Sequence, residues 1–148
     1  MADWECSKLA PMSEANKNVA RQWFEQVWNQ KSEAAIDRMF YPDGKCYGFP
    51  KPDSVLTSPE DFKVIHRSFC GAFPDLHIDI EELVAEGDVI AVRWKTTMTH
   101  QGDHLGIPAS GKSASLSGAS FIIVKDGQIT EGWNYMDLQA MLMQLKAE

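Results

Sequence analysis

Apolar residues recur at helical spacing in the first half of the chain and at alternate positions in the second. Val19, Trp23, Phe24, Val27 and Trp28 lie three or four apart, which predicts an amphipathic helix over residues 13–30 with Ser13 as its cap. Ser32 is placed to cap a second, shorter helix carrying Ile36, Met39 and Phe40, which the turn Pro42-Asp43-Gly44 ends. A short strand over 45–49 follows, stopped by Pro50 and Pro52. Ser58-Pro59-Glu60-Asp61 reads as a helix start: the serine caps, the proline fits the first turn, and the acids meet the positive end of the helix dipole. Phe62, Ile65, His66 and Phe69 then share one face, and Gly71 is expected to close the helix.

After that the period drops from 3.6 to 2. Leu76, Ile78 and Ile80 alternate with His77, Asp79 and Glu81, a strand with one solvated face. Glu86-Gly87-Asp88 is a turn, 89–100 a long strand, and 101–112 a glycine-containing loop. A strand over 113–124, a hairpin turn at Asp126-Gly127 and a last strand over 128–135 follow. Leu138, Met141, Leu142 and Leu145 mark a closing helix. Helices first and an antiparallel meander afterwards predict an α+β fold, with helices packed on one face of a curved sheet. Such a sheet closed by helices makes a cone with an apolar mouth, the kind of place where deep pockets sit.

The 148 residues make one domain, read as a flexible lead-in over 1–12 and a single domain over 13–148. Lys and Arg number 14 against 21 Asp and Glu, a net charge of −7. That balance argues against nucleic acid or an anionic membrane surface, which both demand a basic face. No apolar run approaches the roughly 20 residues of a membrane helix. The first residues hold no apolar stretch of signal-peptide length, so a cytoplasmic protein is expected. Cys6, Cys46 and Cys70 are odd in number and lack CxxC spacing, which speaks against a disulfide framework or a zinc site.

Several stretches together carry a resemblance. They are Phe73-Pro74-Asp75-Leu76, Glu86-Gly87-Asp88 leading into Val92-Arg93-Trp94, Thr99-His100-Gln101-Gly102, and Gly106-Ile107-Pro108 with Gly111-Lys112. Lys125-Asp126-Gly127-Gln128-Ile129, Trp133, Asp137 and Gln144-Leu145 complete the set. In this order and spacing, over residues 15–146, the chain resembles the SnoaL-like polyketide cyclases, an ester cyclase family of the nuclear transport factor 2-like superfamily. The resemblance implies a cone-shaped, cystatin-like α+β barrel, a homodimer or homotetramer, and no metal or organic cofactor. It also implies aldol-type ring closure of a hydrophobic carbonyl or polyketide-like compound. The family's acid/base aspartate, four residues after the strand tryptophan, falls on Asp137.

Alternation in a strand places Trp133, Tyr135 and Asp137 on one face, if the strand runs that far. A carboxylate among aromatic rings loses solvation, its pKa rises, and it can serve as base and then acid for an enolate. Asp137 also immediately precedes Leu138, where it would simply cap the last helix. His100 ends a strand on the parity of Trp94, Thr96 and Met98 and is the second candidate, as a donor to a substrate oxygen or a proton partner. The walls of the site are expected from Trp133, Tyr135, Trp94, Phe69, Phe121 and Trp28. His66, between Ile65 and Phe69, reads first as a core histidine and second as pocket lining. His100, Asp103 and His104 span a loop rather than a helix face, which leaves a metal pair unoriented.

Two rival readings stand beside the cyclase. One is a non-catalytic module that holds a small hydrophobic molecule or pairs with a partner through its sheet. An enclosed carboxylate favours catalysis, and a solvent-facing, helix-capping Asp137 favours binding. The other is an epoxide hydrolase or dehydratase. Limonene-type hydrolases of the superfamily use an Arg-x-Asp strand pair, and here the strand reads Arg93-Trp94-Lys95. Gly132 stands where the family often has a histidine before the strand tryptophan.

Overall fold

Ser32 and Ser58 act as the sequence suggests: each hydroxyl accepts a backbone N–H three residues on, from Ala35 at 3.2 Å and Asp61 at 3.1 Å. These caps start α2 (Glu33–Met39) and α3 (Pro59–Ala72). The computed structural model describes residues 13–146, so the lead-in over 1–12 and Cys6 lie outside it. The first helix, α1, runs from residue 13 and widens into a π-helix over Trp23–Asn29. The wider turn brings Trp23, Phe24, Val27 and Trp28 to the core together. Lys31, at φ 57°, ends the helical path before Ser32.

Six strands form one mixed sheet in the order β2-β1-β6-β5-β4-β3. They are β1 (Phe40–Tyr47), β2 (Val55–Leu56), β3 (Ile78–Glu86), β4 (Val89–Thr99), β5 (Ser113–Lys125) and β6 (Gln128–Met136). The helix α4 (Leu138–Lys146) closes the described chain. The meander β3 to β6 is antiparallel, as predicted, but β1 lies parallel to β6. The sheet does not close on itself; β2 and β3 are its edges. At the β3 edge, the Asn29 side chain stands in for a missing strand. It accepts from Ile78 N at 2.7 Å and donates to Ile78 O at 3.1 Å.

Several local expectations change. The turn at Pro42-Asp43-Gly44 lies inside β1, which is continuous but slips register between Phe40 and Lys45. Gly71 does not close α3; the helix continues to Ala72. Glycine is needed there because an added Cβ would lie 2.6 Å from the His104 ring. The loop over 101–112 is pinned to the same helix end by Gln101 and Gly102, whose N–H groups donate to the Ala72 carbonyl at 2.9 and 3.2 Å. At the hairpin, Asp126 and Gly127 both take positive φ, 52° and 77°, the geometry of a tight strand-matched turn.

The core fills the space between the helices and the inner sheet face. Phe62 sits at its centre, with ring centroids of Trp23, Phe40, Trp28 and Phe49 all within 5.9 Å. Ionic side chains sit around this core: Lys63 bonds Asp37 at 2.7 Å and Glu60 at 3.0 Å, and Arg93 meets Glu81 at 3.2 Å.

Gly48, at φ 76°, follows β1 where its backbone passes the Asn134 carbonyl, which an added Cβ would strike. A side chain there carries both left-handed strain and a backbone clash. Gly48→Ala is expected to lower unfolding stability by about 2 kcal/mol, read as a reduced urea midpoint at unchanged slope.

Candidate functional site

The inner face of the sheet and the helices α1 and α3 bound a cavity of about 80 Å³. Trp23, Phe24, Trp28, Phe62 and Phe69 line it from the helices. Trp94, Thr96 and Met98 line it from β4, Leu116, Ser120 and Ile122 from β5, and Ile129, Gly132, Asn134 and Met136 from β6. Phe40, Cys46, Phe49, Leu76 and Ile78 complete the wall. No Asp, Glu, Lys, Arg or His is among these residues. The lining is apolar except for a few hydroxyl, amide, thiol and indole N–H groups.

Four of the residues that carry them, with the Tyr47 carbonyl, are joined in one chain. The Trp94 indole donates to Ser120 Oγ at 3.2 Å, and Ser120 donates to Asn134 Oδ1 at 2.9 Å. Asn134 Nδ2 donates to the Tyr47 carbonyl at 3.1 Å and to Cys46 Sγ at 3.2 Å. The chain thus crosses β4, β5, β6 and β1. Gly118, opposite Trp94 on β5, makes it possible: a Cβ there would lie 2.5 Å from the indole. Thr96 donates to the His77 carbonyl at 2.7 Å. Burial pushes the Cys46 thiol up to about 12, against the smaller opposing effect of the Asn134 bond. It is therefore a neutral S–H at physiological pH.

Of the residues expected to wall a site, Trp94, Phe69 and Trp28 line this cavity. Trp133, Tyr135 and Phe121 do not; they lie on the opposite face of the sheet, and Tyr135 and Phe121 are exposed. Phe121 faces out by the plain alternation of β5, between the inward Ser120 and Ile122; for Trp133 and Tyr135 the cause is one residue. Val124 pairs with Ile129 but Ile123 pairs with Glu131, so Thr130 is a bulge. A bulge reverses the facing of everything after it. Ile129 points inward, and beyond the bulge Gly132, Asn134 and Met136 do so in place of Trp133 and Tyr135.

Asp137 is exposed, and its Oδ1 accepts the Ala140 N–H at 2.9 Å, which makes it the cap of α4. It follows Met136, the last cavity residue of β6, but does not line the cavity. His100 is fully buried, its ring centroid 5.6 Å from that of Phe73. Its Nδ1 accepts the Ser110 N–H at 3.2 Å, so in the neutral ring Nε2 carries the hydrogen. That Nε2 is buried without a partner. Asp137 and His100 are therefore not brought together in the cavity. His104 lies over Gly71, and among the described residues no three His, Cys, Asp or Glu side chains group to hold a metal ion. Among them, too, no helix is long and apolar enough to cross a membrane.

His66 is buried directly behind Trp28, ring centroids 5.0 Å apart. Its Nε2 donates at 2.6 Å to the Val27 carbonyl, which the helix end leaves free. Its Nδ1 is buried and unpartnered. Asn134 and Ser120 are the site residues that sequence reasoning missed. The readable signal was Ser120, a lone hydroxyl at an inward position of an otherwise apolar strand face.

A family model described as SnoaL-like polyketide cyclase matches residues 18–145. No curated protein matches the chain at a significant level. Among solved structures, one named a SnoaL-like polyketide cyclase from a Jannaschia species superposes with TM-score 0.84 at 21% identity, covering 93% of this chain and 96% of that one. A polyketide cyclase from Acidithiobacillus ferrooxidans superposes at 0.75 with 28% identity, covering 89% and 94%. An LEH-like epoxide hydrolase from M. tuberculosis superposes at 0.70 with 15% identity, covering 92% of each chain; this likeness shows the fold alone.

Desolvation holds the His66 imidazole below its ordinary value of 6.5, only partly offset by the Val27 bond. The native chain then binds fewer protons than the unfolded one, so stability is full above that value and falls as pH drops below it. The melting temperature is expected to fall from pH 7.5 to pH 5.5, and to fall less in His66→Gln. Glutamine keeps a donor for Val27 and does not titrate.

Proposed function

Because the chain belongs to the SnoaL-like polyketide cyclase family, we propose that its inner cavity takes up a small, uncharged, largely apolar molecule. The observation that carries this is the lining itself. It is aromatic and aliphatic, free of ionised groups, and crossed by a single hydrogen-bonded chain from Trp94 to Tyr47. An ionised ligand would meet no counter-charge there and would lose its hydration. A neutral ligand gains from leaving water and has one polar strip to orient against. The helix-capping, solvent-facing Asp137 supports binding as the primary role.

Cofactor-independent acid/base chemistry on that molecule is the second reading. The family and the relatives named polyketide cyclases favour it. It assigns proton transfer to Asp137, whose backbone adjoins the cavity residue Met136, with His100 Nε2–H as the second group. The reaction would be an aldol closure or enolate isomerisation. An epoxide hydrolase reading has less support: Arg93 faces outward against Glu81, away from the cavity.

The outer sheet face supports the pairing of copies that the family resemblance implies. Tyr47, Trp133, Phe121, Ala91 and Val84 form a register row across five strands. Phe121 and Val84 are exposed at 43% and 54%, and the neighbouring Tyr135 at 59%. A second copy meeting this row by a two-fold axis would remove it from water. The setting proposed for this assembly is the cytoplasm.

Two measurements test these readings. Deuterium exchange at the acidic carbon of benzoylacetone, followed by NMR, is expected to be catalysed by the wild type. Asp137→Asn is expected to slow it by about 100-fold; equal rates in both proteins would leave the binding role alone. In sedimentation velocity the wild type is expected as a dimer and Phe121→Glu as a monomer. A wild-type monomer at 100 µM, a concentration chosen to favour a dimer with Kd below roughly 10 µM, would refute assembly through this face.

A further inference from the structure

The direction of every hydrogen bond in the cavity chain is fixed by its two ends. An indole N–H can only donate and a backbone carbonyl can only accept. Trp94 therefore makes Ser120 Oγ an acceptor, and the Tyr47 carbonyl makes Asn134 Nδ2 the amide edge that faces it. That orients Asn134 Oδ1 toward Ser120, whose hydroxyl hydrogen must point at it. Both Nδ2 hydrogens are engaged, one on Tyr47 and one on Cys46. The Thr96 hydroxyl hydrogen is engaged on the His77 carbonyl.

On this sheet wall the strong donors are all in use, and what is left are lone pairs on Ser120 Oγ, Asn134 Oδ1 and Thr96 Oγ1. Cys46 adds only a weak S–H. We propose that the sheet wall of the cavity selects, for the ligand group laid against it, a neutral hydrogen-bond donor such as a phenolic or enolic hydroxyl over a carbonyl or ether oxygen; the Trp23 and Trp28 indoles line the opposite, helical side. This deepens the cavity-binding reading and rests on it. The reason is the asymmetry of desolvation. A carbonyl oxygen placed against these lone pairs loses its water and gains no partner, while a hydroxyl exchanges water for Ser120, Asn134 or Thr96. A β-dicarbonyl compound would be held as its enol.

The test compares phenol, anisole and benzaldehyde, which share one ring and differ in their polar group. Binding to the full chain is followed by 1H–15N NMR through the Trp94 indole and Asn134 side-chain amide resonances. Phenol is expected to bind about fivefold tighter than either of the others. Ser120→Ala sets the Trp94 N–H free to donate, so benzaldehyde is expected to gain on phenol and reverse the order. Benzaldehyde binding the wild type as tightly as phenol would overturn the donor rule while leaving the cavity reading intact. A donor such as the Trp23 or Trp28 indole would then have to reach it. If none of the three shifts either resonance, the cavity-binding reading falls, and the donor rule with it. The wild-type comparison stands alone should Ser120→Ala fail to fold.

Discussion

The buried hydrogen-bond chain from Trp94 to Tyr47 is the constraint from which the site's shape follows. Polar groups inside an apolar wall must find each other or forfeit their water without return. Here they do so across four neighbouring strands, which ties β1, the parallel outsider, to the antiparallel meander. The tie has steric conditions. Gly118 must lack a side chain for the indole to lie flat, and Gly48 must turn through positive φ for β1 to pass Asn134. The cavity is the space left between this wall and an aromatic helical layer centred on Phe62. Ordered polar chains of this kind favour one arrangement of the strands over slipped alternatives, because a shifted register would leave several buried groups unpaired.

Much of this was legible in the residues. The Ser32 and Ser58 caps, the α3 face, the alternation of β4 and β5 and the Asp126-Gly127 turn follow from local chemistry, and each formed where local chemistry puts it, while β3 alternates only until its register slips between Ile80 and Glu82. The α+β class followed from them. The cavity lining was legible only in part. Trp94, Phe69 and Trp28 were found by parity and spacing, while Trp133, Tyr135 and Phe121 were assigned to the wrong face. Nothing in Ile129-Thr130-Glu131 announces a bulge, because the slip arises from how β6 must meet β5 and β1 together. One inserted residue therefore replaced two aromatic rings by a glycine and an amide. The pairing of β1 with β6 was hidden for a similar reason: strand neighbours distant in sequence leave no local mark.

The same bulge divides the sheet's two faces by chemistry. Inward it leaves Gly132, Asn134 and Met136, small or neutral groups that leave space for a guest. Outward it sets Trp133 against Tyr47, rings stacked 5.4 Å apart, and places Phe121 edge-on to Tyr135. The pairing of Phe121 with Trp133 and of Ser120 with Asn134 is one register seen from two sides. A change at Thr130 that restored plain alternation would exchange the faces. The cavity would fill with indole and phenol, and the outer row would keep Tyr47 and Phe121 but lose Trp133 between them.

The raised Cys46 thiol turns the cavity into its own clock. Burial pushes the thiol up to about 12, so at neutral pH this sulfur stays protonated and slow toward alkylating agents while the wall is closed. Any excursion that wets the wall between β1 and β6 returns that sulfur toward ordinary acidity and raises its thiolate fraction. The rate at which Cys46 is alkylated then counts openings of the sheet wall. A guest seated against Asn134 would slow that count in proportion to its occupancy, so one native sulfur ties the breathing of the wall to its binding.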